Sequence, residues 1–246
     1  MARTEEGSWQ EIFVSRHSIS LNLFLILPLL IVYEVGIRLS GTPLCNAAEF
    51  VLKDVYRLLG PQGARFFHWF MALVILVCFF KTTAAKSSFL LIWLAVVLEG
   101  LVLAVLLGPL LSWIFSGALL EYPLTSGDVP DLSTSIMLSI GAGVYEEVIF
   151  RFLVLGLVFI LVRLVFESSY SVAAVVALLA SSVLFSFYHH MGPFAEAFAT
   201  PVFLFRLAAG LLLGLVFVFR GFGVAVYLHA FYDVLRDLES VMPHET

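Results

Sequence analysis

Two adjacent glutamates and an arginine interrupt a long apolar run in the second half of the chain. The run extends from Ile136 to Val162, and Glu146, Glu147 and Arg151 fall within it. A charged side chain at the centre of a bilayer costs about 2.5–3.5 kcal/mol on insertion scales. Three such charges so close together need partners, water or a function, and the fold must bring other polar groups to them.

The composition indicates that this run is one of several membrane helices. Hydrophobic residues make up 61% of the 246 residues and charged residues 13%, whereas soluble domains carry about 45–50% and about 25%. We therefore expect an all-α polytopic membrane protein with about seven transmembrane helices, in a range of six to eight. The net charge of −5 is small, and the absence of a basic cluster argues against a nucleic-acid partner.

Hydrophobic segments and helix-breaking residues place the seven spans along the chain. They are expected at about 18–39, 65–80, 88–115, 134–162, 171–190, 200–219 and 224–238. Pro28 should kink the first span, and an amphipathic helix near 47–59 should lie in the membrane interface. The chain then divides into N-terminal membrane helices over 1–133, a four-helix core over 134–238 and a polar tail over 239–246.

The loop charges give an expected orientation, because Lys and Arg are enriched in cytoplasmic loops. Apart from the amphipathic first loop, they favour the side that holds the N-terminus, and the third and fifth loops on the opposite side have none. We expect a cytoplasmic N-terminus. The compact chain and short loops suit the cytoplasmic membrane of a prokaryote.

Two polar pairs with a four-residue spacing lie on separate predicted helices. Glu147 and Arg151 have the spacing at which a glutamate N-terminal to a cation pairs best. Glu146 lies about 100° around that helix and is left without this local partner. His229 and Asp233 repeat the spacing on the last helix, where Asp233 can accept from one ring nitrogen and fix the tautomer.

A third polar position comes at the end of the fifth predicted helix. His189 and His190 are adjacent, so one of them can face the interior, and Phe185 lies one turn before His189 as packing support. Glu146, His189 and His229 from three helices can hold a water, or a Zn²⁺ ion with an open position. Without a metal, Glu146 can deprotonate the water while the imidazoles stabilise an oxyanion.

Together these residues form three motifs in chain order, Glu146-Glu147-x-x-x-Arg151, Phe185-x-x-x-His189 and His229-x-x-x-Asp233. Over residues 134–238 the chain resembles the CPBP family of intramembrane proteases. That family includes the type II CAAX prenyl endopeptidases and relatives similar to lysostaphin-resistance and bacteriocin-processing proteins. The resemblance implies that 134–238 is a catalytic core that hydrolyses peptide bonds of a membrane-anchored protein or peptide in the lipid bilayer.

The resemblance also implies roles for the motif residues. Glu146 would activate water, His189 would hold that water, and Glu147 with Arg151 would support Glu146. The family pattern favours this glutamate mechanism over a metalloprotease mechanism, so no cofactor is certain. If zinc binds, the expected ligands are Glu146, His189 and His229.

Two positions depart from the family pattern. His229 and the residue four after it would stabilise the oxyanion, but the chain has Asp233 where the family commonly has Asn. An ionised aspartate cannot donate a hydrogen bond to an oxyanion, so orienting His229 or binding a metal suits Asp233 better. Phe152 follows Arg151 where a small residue is common, and we expect it to narrow the cavity.

Two other functions fit parts of the pattern. A member of the family could keep the fold as a non-catalytic scaffold or immunity protein, although a scaffold has no need of the costly motif charges. An ion-coupled carrier could use the Glu and His residues as a relay, but carriers usually show paired repeats with broken helices, which this sequence lacks.

Overall fold

A computed structural model describes residues 19–40, 46–58, 89–115, 131–192 and 195–242, with isolated residues between 60 and 80. Throughout these residues the secondary structure is helical, which confirms the predicted fold class. The helices are α1 (Ile19–Leu25), α2 (Leu27–Leu39), α3 (Ala47–Arg57), α4 (Phe89–Ile114), α5 (Leu132–Glu147), α6 (Gly156–Val165), α7 (Tyr170–Tyr188), α8 (Thr200–Arg220) and α9 (Phe222–Val241).

Five helical stretches are long and apolar enough to cross a membrane, which makes this a multi-pass membrane protein. They match the first, third, fourth, fifth and sixth predicted spans and comprise Ser20–Leu39, Leu90–Ile114, Leu132–Val165, Tyr170–Tyr188 and Thr200–Arg220. The N-terminal tail lies outside the described residues, as do most of the second predicted span and of the third loop. The seventh predicted span forms as α9, which is not among the five.

The N-terminal helices follow their local sequence signals. The first span breaks at Ile26, with Pro28 at the start of α2, where its missing N–H is tolerated. Helix α3 forms within the predicted amphipathic segment, and Asn46 caps it by accepting a hydrogen bond from the Ala48 N–H at 2.8 Å. One face of α3 is buried, whereas Val55 on another face is 51% exposed, as expected for an interfacial helix.

Helix α9 forms the centre of the helical core, because every residue from Phe222 to Ala230 is buried. Glycines on the neighbouring helices allow this close packing. A Cβ atom at Gly143 of α5 would lie 2.5 Å from the Ala230 backbone nitrogen, and one at Gly100 of α4 would lie 2.6 Å from Tyr227 Cβ. Because Gly143 lies one turn before Glu146, this contact brings the glutamate pair next to α9.

Helices α7 and α8 pack through the predicted small-residue positions. A Cβ at Gly214 would lie 2.4 Å from Leu178 Cδ1, and one at Gly210 would lie 3.1 Å from Phe185 Cδ1. Side chains larger than hydrogen would push these helices apart. The four-residue spacing of Gly210 and Gly214 predicts a close helix contact, and the structure shows that its partner is α7.

A wide π-helical segment, Val148–Leu155, joins α5 to α6 and includes Arg151. The sequence predicted an unbroken α-helix here. In a π-helix the backbone hydrogen bonds run from i to i+5, and such segments are rare and frequent at functional sites. The Phe150 carbonyl in this segment accepts a hydrogen bond from Ser181 Oγ of α7 at 2.6 Å, so Ser181 joins α7 to the π-helical segment.

Candidate active site

The end of α5 carries the charged stretch into the protein interior. Glu146 is 5% exposed, and Glu147 and Arg151 are fully buried. Glu147 Oε1 lies 3.1 Å from Arg151 Nη1, which confirms the predicted ion pair. The guanidinium carbon of Arg151 also lies 4.4 Å from the centre of the Phe185 ring, a cation–π contact that strengthens when desolvated.

Glu147 also binds the histidine of α9. The Nδ1–H of His229 donates to Glu147 Oε1 at 2.8 Å, so one carboxylate oxygen contacts both Arg151 and His229. The sequence pattern predicted Asp233 as the acceptor that fixes this ring. Asp233 Oδ2 lies 3.4 Å from His229 Nε2, which makes Glu147 the closer partner, on the other nitrogen.

His189 follows the last residue of α7 and caps that helix. Its Nδ1–H donates to the Phe185 carbonyl at 2.8 Å, so the neutral ring presents the lone pair of Nε2. The Phe185 ring lies 5.0 Å from the His189 ring and 5.9 Å from the His229 ring. His190 turns away towards Phe198, at 5.1 Å between ring centres, so one histidine of the pair faces the site.

The structure brings Glu146, His189 and His229 together around one oxygen atom. Glu146 Oε2 lies 3.7 Å from His189 Nε2 and 3.8 Å from His229 Nε2. Both distances are too long for direct hydrogen bonds, and polar atoms at this separation are commonly bridged by a water. The site therefore has a buried carboxylate and two imidazole nitrogens disposed around a position that a small polar molecule can fill.

A comparison with protein families agrees with this geometry. Residues 129–235 match the family described as type II CAAX prenyl endopeptidase Rce1-like, and the match includes every motif residue from Glu146 to Asp233. These residues form an Rce1-like domain of the CPBP family. The family implies an intramembrane protease with a protein or peptide substrate. The chain matches no curated protein and no solved structure.

A cavity of about 720 Å³ adjoins the site of the Rce1-like domain, and Asp233 lines it. Its lining combines apolar side chains of α4 and α8, including Leu111 and Phe205, with charged side chains such as Arg206 and Asp237. Phe152, which was expected to narrow the cavity, is not among the residues that line this one. It packs against Phe222, at 5.8 Å between ring centres.

The Rce1-like site contains carboxylate and imidazole groups of the kind that bind zinc. Within the described part of the chain, no three His, Cys, Asp or Glu side chains form a group suited to a metal ion. Glu147 already accepts from His229, and the Nε2 atom of that ring lies between Glu146 and Asp233. Zinc binding by Glu146, His189 and His229 stays a prediction.

Proposed function

We propose that this protein is an intramembrane endopeptidase that hydrolyses a peptide bond of a membrane-anchored protein or peptide. One observation carries the proposal: Glu146 Oε2 is buried and lies within 3.8 Å of an imidazole nitrogen from each of two other parts of the fold. Hydrolysis within a membrane needs a base, a held water and an oxyanion donor in one place. Glu146, His189 and His229 supply these three groups.

Glu146 and His189 are assigned to the water. Because Nδ1–H of His189 is bonded to the Phe185 carbonyl, Nε2 can accept one hydrogen of a water while Glu146 Oε2 accepts the other. The water then presents a lone pair to the substrate carbonyl carbon. Glu146 takes its proton as the C–O bond forms, and it returns that proton to the amine as the C–N bond breaks.

His229 is assigned to the oxyanion. Its Nδ1–H stays bonded to Glu147, so Nε2 can donate only when the ring is the doubly protonated imidazolium. The carboxylates of Glu147 and Asp233 lie within 3.4 Å of its two nitrogens and balance that charge. In this proposal Asp233 holds the imidazolium before substrate binds, which gives a role to an aspartate where an oxyanion donor was expected.

The substrate segment is assigned to the cavity that Asp233 lines. Its mixture of apolar and charged walls suits a peptide that carries apolar side chains and also exposes polar backbone groups. The membrane-anchored tail of a protein, with apolar side chains beside the cleaved bond, has these properties. If the site opens to the outer side, as the loop charges predict, tails of exported proteins are the expected substrates.

The proposal is tested by comparing membranes from cells that produce the wild-type protein or Glu146→Gln. Mass spectrometry of peptide termini should find cleavage products that are lost in the variant, with the rate for a purified substrate in proteoliposomes reduced about 10²- to 10⁴-fold. Glu99→Gln is the control, because Glu99 pairs with Arg220 away from the site. Identical termini from wild type and Glu146→Gln would favour a scaffold, and ion flux without new termini would favour a carrier.

Metal dependence has its own measurement. Elemental analysis of the purified protein is combined with the cleavage rate before and after a chelator. The glutamate mechanism predicts an unchanged rate and no stoichiometric metal. Loss of cleavage on chelation, restored by Zn²⁺, would replace it with a zinc mechanism through Glu146, His189 and His229.

A further inference from the structure

Glu196, a residue outside the three motifs, bonds both His189 and His190 at the end of α7. The Glu196 backbone N–H donates to the His189 carbonyl at 2.9 Å. The Glu196 carbonyl accepts from Nδ1–H of His190 at 3.3 Å. The segment after α7 is thus folded back onto the last residues of that helix, with Gly192 at φ +83° in the turn, a conformation that favours glycine.

The Glu196 side chain ties this segment to α8. Its Oε1 accepts from Arg206 Nη2 at 2.6 Å, and the side chains of Glu196 and Arg206 are 27% and 18% exposed. An ion pair that is largely buried is screened less than a surface pair. Glu196 therefore links three points: the His189 carbonyl, the His190 ring and the Arg206 guanidinium.

The position of His189 depends on such a link, because this residue lies at the end of a helix. It lies just beyond the last turn of α7, where helix ends fray and the backbone has lost its regular hydrogen bonds. Its partner Glu146 is held within α5 and lies 3.7 Å away. A shift of about 1 Å at a reacting group can lower a rate about 100-fold, so the end of α7 has to be fixed.

We propose that Glu196 and Arg206 form a positioning pair, which holds His189 at its place beside Glu146. The inference rests on the proposed peptidase function for its kinetic consequence. The two side chains pair with each other, and the Glu196 backbone bonds the His189 carbonyl and the His190 ring, so the pair acts on His189 through the backbone. No motif marks Glu196, because its contacts join a loop to a helix cap and to a separate helix.

The kinetic test uses Glu196→Ala, Arg206→Ala and the reversed pair Glu196→Arg with Arg206→Glu. For a purified substrate in proteoliposomes, each single variant should lower kcat about 10- to 100-fold, and the reversed pair should recover most of the loss. Because both side chains also line the cavity assigned to the substrate, KM can change as well, and the loss of kcat is the result that tests the positioning role. Glu99→Ala is the matched control, because it breaks another Glu–Arg pair between distant segments and should leave kcat unchanged. A raised KM with normal kcat would overturn the inference, since it would place the pair on the substrate.

A second measurement does not depend on activity. Diethyl pyrocarbonate modifies accessible imidazole nitrogens, and mass spectrometry can compare the rates at His189 and His229. Glu196→Ala should raise the rate at His189 and leave the rate at His229 unchanged. Equal rates at His189 in wild type and variant would overturn the inference even if the protein proved not to be a peptidase, and absent cleavage by the wild type would count against the proposed function alone.

Discussion

Two polar clusters meet at neighbouring residues of α5 and differ in how their hydrogen bonds are completed. The tyrosine cluster consists of Tyr33, Glu34, Glu49 and Tyr145. The histidine cluster consists of Glu146, Glu147, His189, His229 and Asp233. Each contains at least two carboxylates inside a helical membrane protein, and Tyr145 and Glu146 are consecutive in the chain.

In the tyrosine cluster all four carboxylate oxygens have partners. Glu34 accepts from Tyr145 Oη at 2.6 Å and pairs at 2.7 Å with Arg38, four residues later on the same helix. Glu49 accepts from Tyr33 Oη and from Lys53 Nζ at 2.6 Å. The two tyrosine rings also pack edge to face. This cluster joins α2 and α3 to α5 and leaves no carboxylate oxygen open for another molecule.

In the histidine cluster only some of the polar atoms have hydrogen-bond partners. Glu147 Oε1 accepts from His229 and lies 3.1 Å from Arg151 Nη1. Glu147 Oε2 and the Nε and Nη1 atoms of Arg151 are buried without a hydrogen-bond partner among the described residues. The two imidazole nitrogens stand 3.7 and 3.8 Å from Glu146 Oε2. Unsatisfied buried groups reduce stability, and they accumulate where a site is shaped for a ligand or for chemistry. The contrast separates a cluster whose carboxylates all have partners from one with open polar groups, which is the cluster proposed to be catalytic.

The largest expected effect on stability comes from removing the buried cation. Arg151→Met leaves Glu147 as a buried charge without its arginine, and such a loss costs about 3–5 kcal/mol. The free energy of unfolding in mixed micelles measures this change. The double variant Arg151→Met with Glu147→Gln should recover part of it, because no unpaired charge is left. A single variant as stable as the wild type would show that the ion pair contributes nothing to the fold.

A smaller effect is expected from separating the two helices that build the histidine cluster. In Gly143→Ala the added methyl meets the Ala230 backbone at 2.5 Å, and overpacking of this kind costs about 1–3 kcal/mol. Cleavage should fall as well, because Glu146 moves away from His229. Gly156→Ala is the matched control, since a Cβ at Gly156 meets no atom within 4 Å. Equal unfolding temperatures and cleavage rates for the two variants would contradict this view of the α5–α9 contact.

The smallest effect is expected from the tyrosine cluster. Tyr145→Phe removes the hydrogen bond to Glu34, a loss of about 0.5–1.5 kcal/mol, while Arg38 still pairs with that carboxylate. The unfolding temperature should fall slightly, and kcat and KM should stay at their wild-type values. A large fall in kcat with normal stability would mean that the tyrosine cluster takes part in the reaction, and the distinction between the two clusters would be lost.

Most of the fold was predictable because its signals are local. Apolar segments of sufficient length gave five of the described spans, Pro28 gave the break in the first, and the spacing of Gly210 and Gly214 gave a close helix contact. The Glu147–Arg151 pair was predictable for the same reason, since four residues along one helix fix the distance. The π-helical segment Val148–Leu155 could not be predicted, because its residues are the same apolar types that form ordinary α-helices in membranes.

The sequence by itself determined which helices form and which residues are too polar for their surroundings. It singled out Glu146, His189 and His229, because charged or ionisable groups on apolar helices are costly wherever the helices pack. Tertiary structure decided which of these side chains contact each other. Glu147, 82 residues before His229 in the chain, bonds Nδ1 of its ring, and Asp233 lies 3.4 Å from Nε2. Those contacts depend on how closely α5 and α9 approach at Gly143. Helical periodicity shows which residues share a face of one helix, but it does not give the distance between two helices.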